Sequence, residues 1–250
     1  MATDLFLFTC EHGGNRIPAP YRSLFHGYDE VLKTHRGYDA GALVMARALA
    51  RSFAAPLVSS TTSRLLVDLN RSIGHASLFS EATRGAPATQ RAQIIARHYL
   101  PYRLRVENLV RQSVADGRRV VHVSAHSFTP ELDGKVRNAD VGLLYDPRRE
   151  GEARLCTAWK EMLVQSAPQL RVRRNYPYAG KGDGLTSHLR QCFTGSAYLG
   201  IELEVNQAIV NAGGPRWTSL RSLLADTLRR ACTLVAGQAR TDSFDDIGVP

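Results

Sequence analysis

Two short apolar runs, each stopping at a histidine-bearing polar cluster, constrain this chain more than any other feature. Leu5-Phe6-Leu7-Phe8 reads as a buried strand, cut off by Thr9-Cys10-Glu11-His12-Gly13-Gly14-Asn15, where the paired glycines stop the run. Val120-Val121-His122-Val123-Ser124-Ala125 repeats the arrangement and runs into His126-Ser127-Phe128-Thr129-Pro130. Open α/β sheets place ligands at the C-terminal mouths of their strands. Two strands that each end in a His therefore predict a metal site assembled across neighbouring strand ends.

The remaining chain alternates between strand and helix patterns. Apolar residues at helical spacing (Leu43, Ala46, Leu49, Ala50, Phe53) predict a helix over 40–53, with Asp39 placed as its N-cap or, alternatively, turned into the metal site. Residues 56–60 read as a short strand. In Arg64-Leu65-Leu66-Val67-Asp68-Leu69-Asn70-Arg71-Ser72 a further strand is expected to carry Asp68 and Asn70 on one face. Residues 76–90 look like a loop, and 89–116 like a long helix kinked or split near Leu100 by Pro101 and ended by Asp116-Gly117. Strands are expected at 141–145, at Leu170-Arg171-Val172-Arg173 on an edge, and at 198–206. Helices are expected at 152–165, 186–191 and 217–236. The loop 175–186, with three glycines, does not match a phosphate-binding loop. His188 and Arg190 are expected at the surface. Such alternation predicts an α/β fold, a single domain over 1–236 with a largely parallel sheet, followed by a polar tail over 237–250.

Glu202 and Glu204 share one face of the last strand. Two acids so placed repel unless they are solvated on an edge, linked to a metal or partly protonated. Composition narrows the function classes. The chain has 250 residues, enough for a core without staples, and its four cysteines (Cys10, Cys156, Cys192, Cys232) form no CxxC pair. That argues against a disulfide framework or thiolate zinc site and fits a reducing, cytoplasmic setting. No basic leader or membrane-length apolar run is present. The net charge of +9 is carried mostly by dispersed Arg without interleaved aromatics, which suits a solvated surface or an anionic small substrate better than nucleic acid.

A catalytic zinc takes three N/O ligands and keeps a fourth position open. His12 and His126 supply two, and Glu11, Asp39 or Asn15 the third. Glu204, with Glu202 second, is the candidate general base. Asn70 and Arg71 are candidates for holding a substrate carboxylate, and Asp68 and Arg137 are further candidate substrate-binding residues. No Gly-x-Ser-x-Gly elbow is present, and nothing in the sequence orients Cys10 and His12 as a nucleophile pair.

Glu11-His12-Gly13-Gly14-Asn15-Arg16-Ile17-Pro18, His35 to Asp39, Asp68-Leu69-Asn70-Arg71, His126-Ser127-Phe128, 141–145 and Glu202-Leu203-Glu204-Val205-Asn206-Gln207 together resemble the N-formylglutamate amidohydrolase family, in order from about residue 5 to 210. The Asp-Leu-Asn-Arg string and the two histidines are also similar to aspartoacylases and, more distantly, to zinc carboxypeptidases. The resemblance implies a mixed central sheet flanked by helices. It also implies zinc-dependent hydrolysis of N-formyl-L-glutamate to formate and glutamate, a step of histidine catabolism. His12 and His126 would be ligands, Glu204 the catalytic carboxylate, and Asn70 with Arg71 the carboxylate clamp. One departure stands out. Where aspartoacylases place a ligand Glu three residues after the first His, this chain has Asn15, and Asp39 is the favoured substitute. The same zinc chemistry on a peptide or cell-wall fragment is an alternative, as is a metal-free basic protein that binds nucleic acid or another anion on a hydrolase fold.

Overall fold

The computed structural model describes the backbone of residues 4–245 and side chains as far as residue 238. The strands are β1 (Leu5–Cys10), β2 (Leu57–Ser59), β3 (Val120–Phe128), β4 (Glu131–Leu132), β5 (Lys135–Val136), β6 (Val141–Leu144), β7 (Val172–Arg174) and β8 (Tyr198–Asn206). Six of them form one sheet in the order β2-β1-β3-β8-β6-β7, while β4 and β5 pair as a separate hairpin. Every neighbour in the main sheet is parallel except β6 against β8. The expected single α/β domain with a mixed, mostly parallel sheet is the one observed. The helices are α1 (Asp29–Leu32), α2 (Ala42–Ser52), α3 (Ala88–Ile94), α4 (Leu100–Ala115), α5 (Glu150–Ser166), α6 (Leu185–Cys192), α7 (Gln207–Ala212) and α8 (Gly214–Asp245).

The two faces of the sheet differ chemically. On one, Phe8, Cys10, Val121, Val123, Ala125, Ile201, Leu203 and Val205 pack against α2, α5 and α8. Each of the Phe, Val, Ile and Leu side chains contributes about 1.5–3 kcal/mol of apolar burial. Trp159 of α5 is fully buried there, and its Nε1–H donates to Thr227 Oγ1 of α8 at 3.1 Å. On the other face, Leu7, Val120 and Tyr198 join Tyr102, Val106, Leu185 and Leu189 of α4 and α6. Toward the strand mouths that second face turns polar. Strand alternation points Thr9 of β1, with Ser124 and Glu202 of β3 and β8, into one row. Glu11, His126 and Glu204 follow one step further along.

The structure corrects several expectations. Residues 64–72 form turns rather than a strand, because Ser63 and Asp68 close them locally: Ser63 Oγ accepts from Leu65 N–H and Asp68 Oδ1 from Asn70 N–H. Leu65, Leu66, Val67 and Leu69 are buried with Leu78. The long helix splits near Leu100 as expected: a π-helical turn over Ile95–Tyr99 separates α3 from α4 just before Pro101, whose missing N–H cannot continue the regular ladder. Asp39 is not a cap: the N-cap of α2 is Gly41 in the left-handed region, φ 77°, with no side-chain cap bond. β8 is central rather than an edge, so its acids are not simply solvated. Arg190 is buried, its Nε donating to Glu152 at 3.0 Å. Helix α8 runs on to Asp245, past the expected end at Ala236, and 246–250 lie outside the described residues.

Close backbone approach accounts for the glycines after β1. A Cβ on Gly13 would lie 2.8 Å from Ser60 O, and one on Gly14 2.7 Å from Thr61 O. Only glycine lets the chain beyond His12 lie against the β2 exit, where Gly13 N–H donates to Ser60 O at 3.0 Å.

Candidate active site

Three elements bring the principal groups together. The exit of β1 supplies His12, the end of β3 supplies His126, and the turn before α2 supplies Asp39, whose backbone N–H donates to His12 O at 2.9 Å. The nearest ligand atoms of these three residues all lie within 4.8 Å of one another, and all three residues are buried. Asp39 Oδ2 is 2.8 Å from His126 Nδ1 and 3.3 Å from His12 Nδ1.

The opposite nitrogens of both rings are anchored. His12 Nε2 is 2.7 Å from Asp68 Oδ1, and Arg64 bridges Asp68 (2.8 Å) and Asp39 (3.4 Å). His126 Nε2 meets Ser124 Oγ at 2.9 Å and Glu11 Oε2 at 3.2 Å. Glu11 is fully buried and committed, since Ser124 Oγ donates to its Oε2 at 2.5 Å and Tyr102 OH to its Oε1 at 2.8 Å. This pattern, one ring nitrogen facing the centre and the other fixed by a carboxylate or hydroxyl, is how metal-ligating histidines are oriented.

Electrostatics follow from this packing. Burial works against charge on Asp39, but His12, His126 and Arg64 outweigh it and hold its carboxyl far below the usual range. Burial of Glu11 is outweighed in the same way by His126, Ser124 and Thr9. Burial disfavours both imidazoliums, yet Asp68 and Asp39 raise the pKa of His12, and Asp39 and Glu11 raise that of His126. The carboxylates thus demand positive charge at the point where three donor atoms converge. A divalent cation satisfies that demand with both rings neutral, so the donor set fits a metal of the zinc class.

Glu204 behaves differently. It pairs in register with His126, is buried, and its Oε2 has no hydrogen-bond partner. Burial, with Asp39 and Glu202 adding repulsion, raises its pKa to about 7. Glu202 is engaged instead by Thr186 Oγ1 at 2.9 Å. Arg137 also has a buried nitrogen, Nη1, without a partner. Its guanidinium stacks 4.9 Å from the Tyr178 ring.

Asn15, on the exposed side of the loop, donates to Leu32 O at 3.1 Å and is not among the converging groups. Asp68 spends its oxygens on His12, Arg64 and the Asn70 N–H. Asn70 Oδ1 accepts from Leu185 N–H at 2.7 Å, and Arg71 Nη1 donates to Asp183 O at 2.7 Å, so both brace the loop before α6. Ser124, Tyr102 and Arg64 carry no role in the sequence reading. The alternation His122-Ser124-His126 signals a polar strand face, but nothing local in the sequence brings Tyr102 or Arg64 to it.

The model of the N-formylglutamate amidohydrolase family matches residues 5–210. The chain belongs to this family. Among solved structures, a gene product of Agrobacterium tumefaciens is 30% identical, with 92% of this chain and 91% of that one covered and a TM-score of 0.80. An N-formylglutamate amidohydrolase from Ralstonia eutropha is 19% identical, with 95% and 96% covered and a TM-score of 0.66, a likeness of fold. A search of curated proteins found no significant match. Membership of this family makes the chain an amidohydrolase and places the whole His12–Asp39–His126 cluster inside the matched span.

Proposed function

We propose that the chain hydrolyses the amide of a small N-acyl amino acid, with N-formyl-L-glutamate the leading substrate, and that zinc held by His12, Asp39 and His126 serves the reaction. The observation that carries this reading is Glu204 Oε2, buried and unpartnered beside the cluster. When bound, zinc would polarise the amide carbonyl and acidify water. Glu204 accepts the proton of the attacking water at Oε2 and delivers it to the leaving nitrogen, a task suited to a carboxyl titrating near neutrality. Asp68 and Glu11 hold the imidazoles in place and are positioning residues. Arg137 meets the carboxylate of the amino acid with its unpartnered Nη1, and Asn70 and Arg71 are proposed as further contacts. The same reading takes the protein to act in the cytoplasm, in histidine catabolism.

The experiment is formate release from N-formyl-L-glutamate by the zinc-loaded protein, run beside N-acetyl and N-succinyl amino acids and Glu204→Gln. Turnover lost by about 10²–10⁴ in the variant, with zinc content unchanged, is expected for loss of a general base. Turnover on none of the acyl amino acids, or full activity in the variant, overturns the reading.

A further inference from the structure

One other place among the described residues gathers three groups of metal-ligating type, away from the strand mouths. Helix α4 supplies Glu107, and α6 supplies His188 and Cys192. The last two are four residues apart and so lie on one helix face. His188 Nε2 is 3.0 Å from Glu107 Oε2 and 3.8 Å from Cys192 Sγ. Arg111 donates to the other oxygen of Glu107, Oε1, at 2.5 Å, which fixes the carboxylate with Oε2 toward the imidazole. Glu107 and His188 are half-buried and Cys192 is exposed, so the cluster opens to solvent.

These spacings match a specific chemistry. Bonds of about 2.0 Å to N or O and about 2.3 Å to S, at tetrahedral angles, put N and S roughly 3.5 Å apart and N and O roughly 3.3 Å apart. The two separations from His188 need shifts of only a few tenths of an ångström, and Glu107 and Cys192, whose ligand atoms lie within 4.8 Å of each other, close to the same range by a side-chain adjustment at the exposed cysteine. One thiolate, one imidazole and one carboxylate carry a charge of −2 and select zinc-class ions over calcium or magnesium.

We propose that Glu107, His188 and Cys192 form a second binding site for a zinc-class divalent cation, with a fourth position open to water. The imidazole turns its proton to Nδ1, the thiol releases one proton to solvent, and the cation takes the place of the hydrogen bond that now joins His188 to Glu107. The ion clips α6 to α4. The first turn of α6 borders the proposed active site through Leu185 N–H on Asn70 Oδ1 and Thr186 Oγ1 on Glu202, so the clip fastens the far end of a helix whose near end helps to build the substrate wall. The site stands on its own residues, whatever the substrate of the family site.

Cobalt(II) titration of the reduced full-length protein tests this. The His12–Asp39–His126 cluster contains no sulfur, and Cys10 is fully buried on the other face of the sheet. A thiolate-to-cobalt charge-transfer band in the near ultraviolet therefore does not come from that cluster, and its loss in Cys192→Ser assigns it to the second site rather than to Cys156 or Cys232. The expected result is a band displaced by zinc that saturates at one equivalent in His126→Ala, where the strand-mouth cluster no longer competes for cobalt. It should be absent in Cys192→Ser and retained in His126→Ala. Its half-saturation should move by at least about tenfold in both His188→Ala and Glu107→Gln, since loss of even an outer-sphere partner costs that much. Absence of the band, its survival in Cys192→Ser, or unchanged affinity in the His188 and Glu107 variants overturns the proposal.

Discussion

At Glu204 and Arg137, neighbours rather than residue type set the chemistry. Both acids of β8 are visible in the sequence as one strand face, but what separates them is invisible there. Thr186 occupies Glu202, while nothing occupies Glu204 Oε2. A base must be ionised to work, and burial holds the Glu204 pKa up to about 7. The kcat/KM profile should therefore fall as pH drops through this titration. A bound cation, favouring the charged form, moves that limb below 7 but does not reverse it. The limb should vanish in Glu204→Gln, and a limb that persists in the variant assigns the titration elsewhere. For Arg137, replacement by Ala should raise KM for N-acyl glutamates by roughly ten- to a hundredfold, the worth of one charge-assisted hydrogen bond. The effect on an acyl amino acid amide without the carboxylate should be smaller. Equal losses on both substrates would mean that the guanidinium supports Tyr178 rather than the ligand. Asp39 illustrates how far sequence reading reaches. Its position before an amphipathic helix allows a cap or a ligand, and only the left-handed Gly41, which starts α2 two residues later, frees the carboxylate for the histidines.

The parallel sheet was legible because strands β1, β3 and β8 are apolar on the face that meets α2, α5 and α8, with polar groups gathered at their mouths. The segment 64–72 was not legible, because a run of Leu and Val looks the same whether it is buried in a sheet or wrapped as turns beneath a loop. The opposite face of the sheet carries a polar ladder that continues well below the active site. His122 of β3 sits between Thr9 Oγ1 at 2.8 Å and Tyr198 OH at 2.7 Å, joining β1 to β8. Burial pushes its pKa down to about 4. A histidine kept neutral in the fold takes up its proton first in the unfolded chain. Its contribution is thus complete above about pH 6.5 and is lost as pH falls from there toward 4, an effect on the order of 3 kcal/mol. In metal-stripped protein His12 and His126 act with the opposite sign, because their raised pKa values favour the fold below 6.5. The informative quantity is therefore the difference between wild type and His122→Gln in urea unfolding at pH 7 and pH 4.5. The variant should be destabilised at pH 7 and should lose less than wild type on acidification. An identical loss in both would remove His122 from the acid response.

For the whole molecule, the basic balance and the metal reading compete as explanations of what the protein meets. Many arginines are already paired: Arg119 with Asp4, Arg148 with Asp146, Arg171 with Asp140 and Arg190 with Glu152. The pairs lie on different elements around the sheet, and each offsets its positive charge locally instead of adding it to a stripe of the kind that phosphate backbones require. No helix among the described residues is long and apolar enough to cross a membrane. The buried cluster, by contrast, ties three separated stretches of chain, around residues 12, 39 and 126, to one point. A cation bound only in the fold stabilises it by about 2.7 kcal/mol at a free concentration of a hundred times Kd. For a chain of this size that corresponds to roughly 5–10 °C in Tm. Adding zinc to stripped protein should raise Tm by this amount, and His12→Ala or Asp39→Asn should abolish most of the rise. Cys192→Ser should keep most of it at a free zinc concentration near or below the Kd of the solvent-open α4–α6 site, where that site contributes little. A rise lost in Cys192→Ser but kept in His12→Ala would transfer the structural metal to the α4–α6 cluster. No rise in any protein would leave the carboxylates around His12 and His126 balanced by imidazolium protons alone.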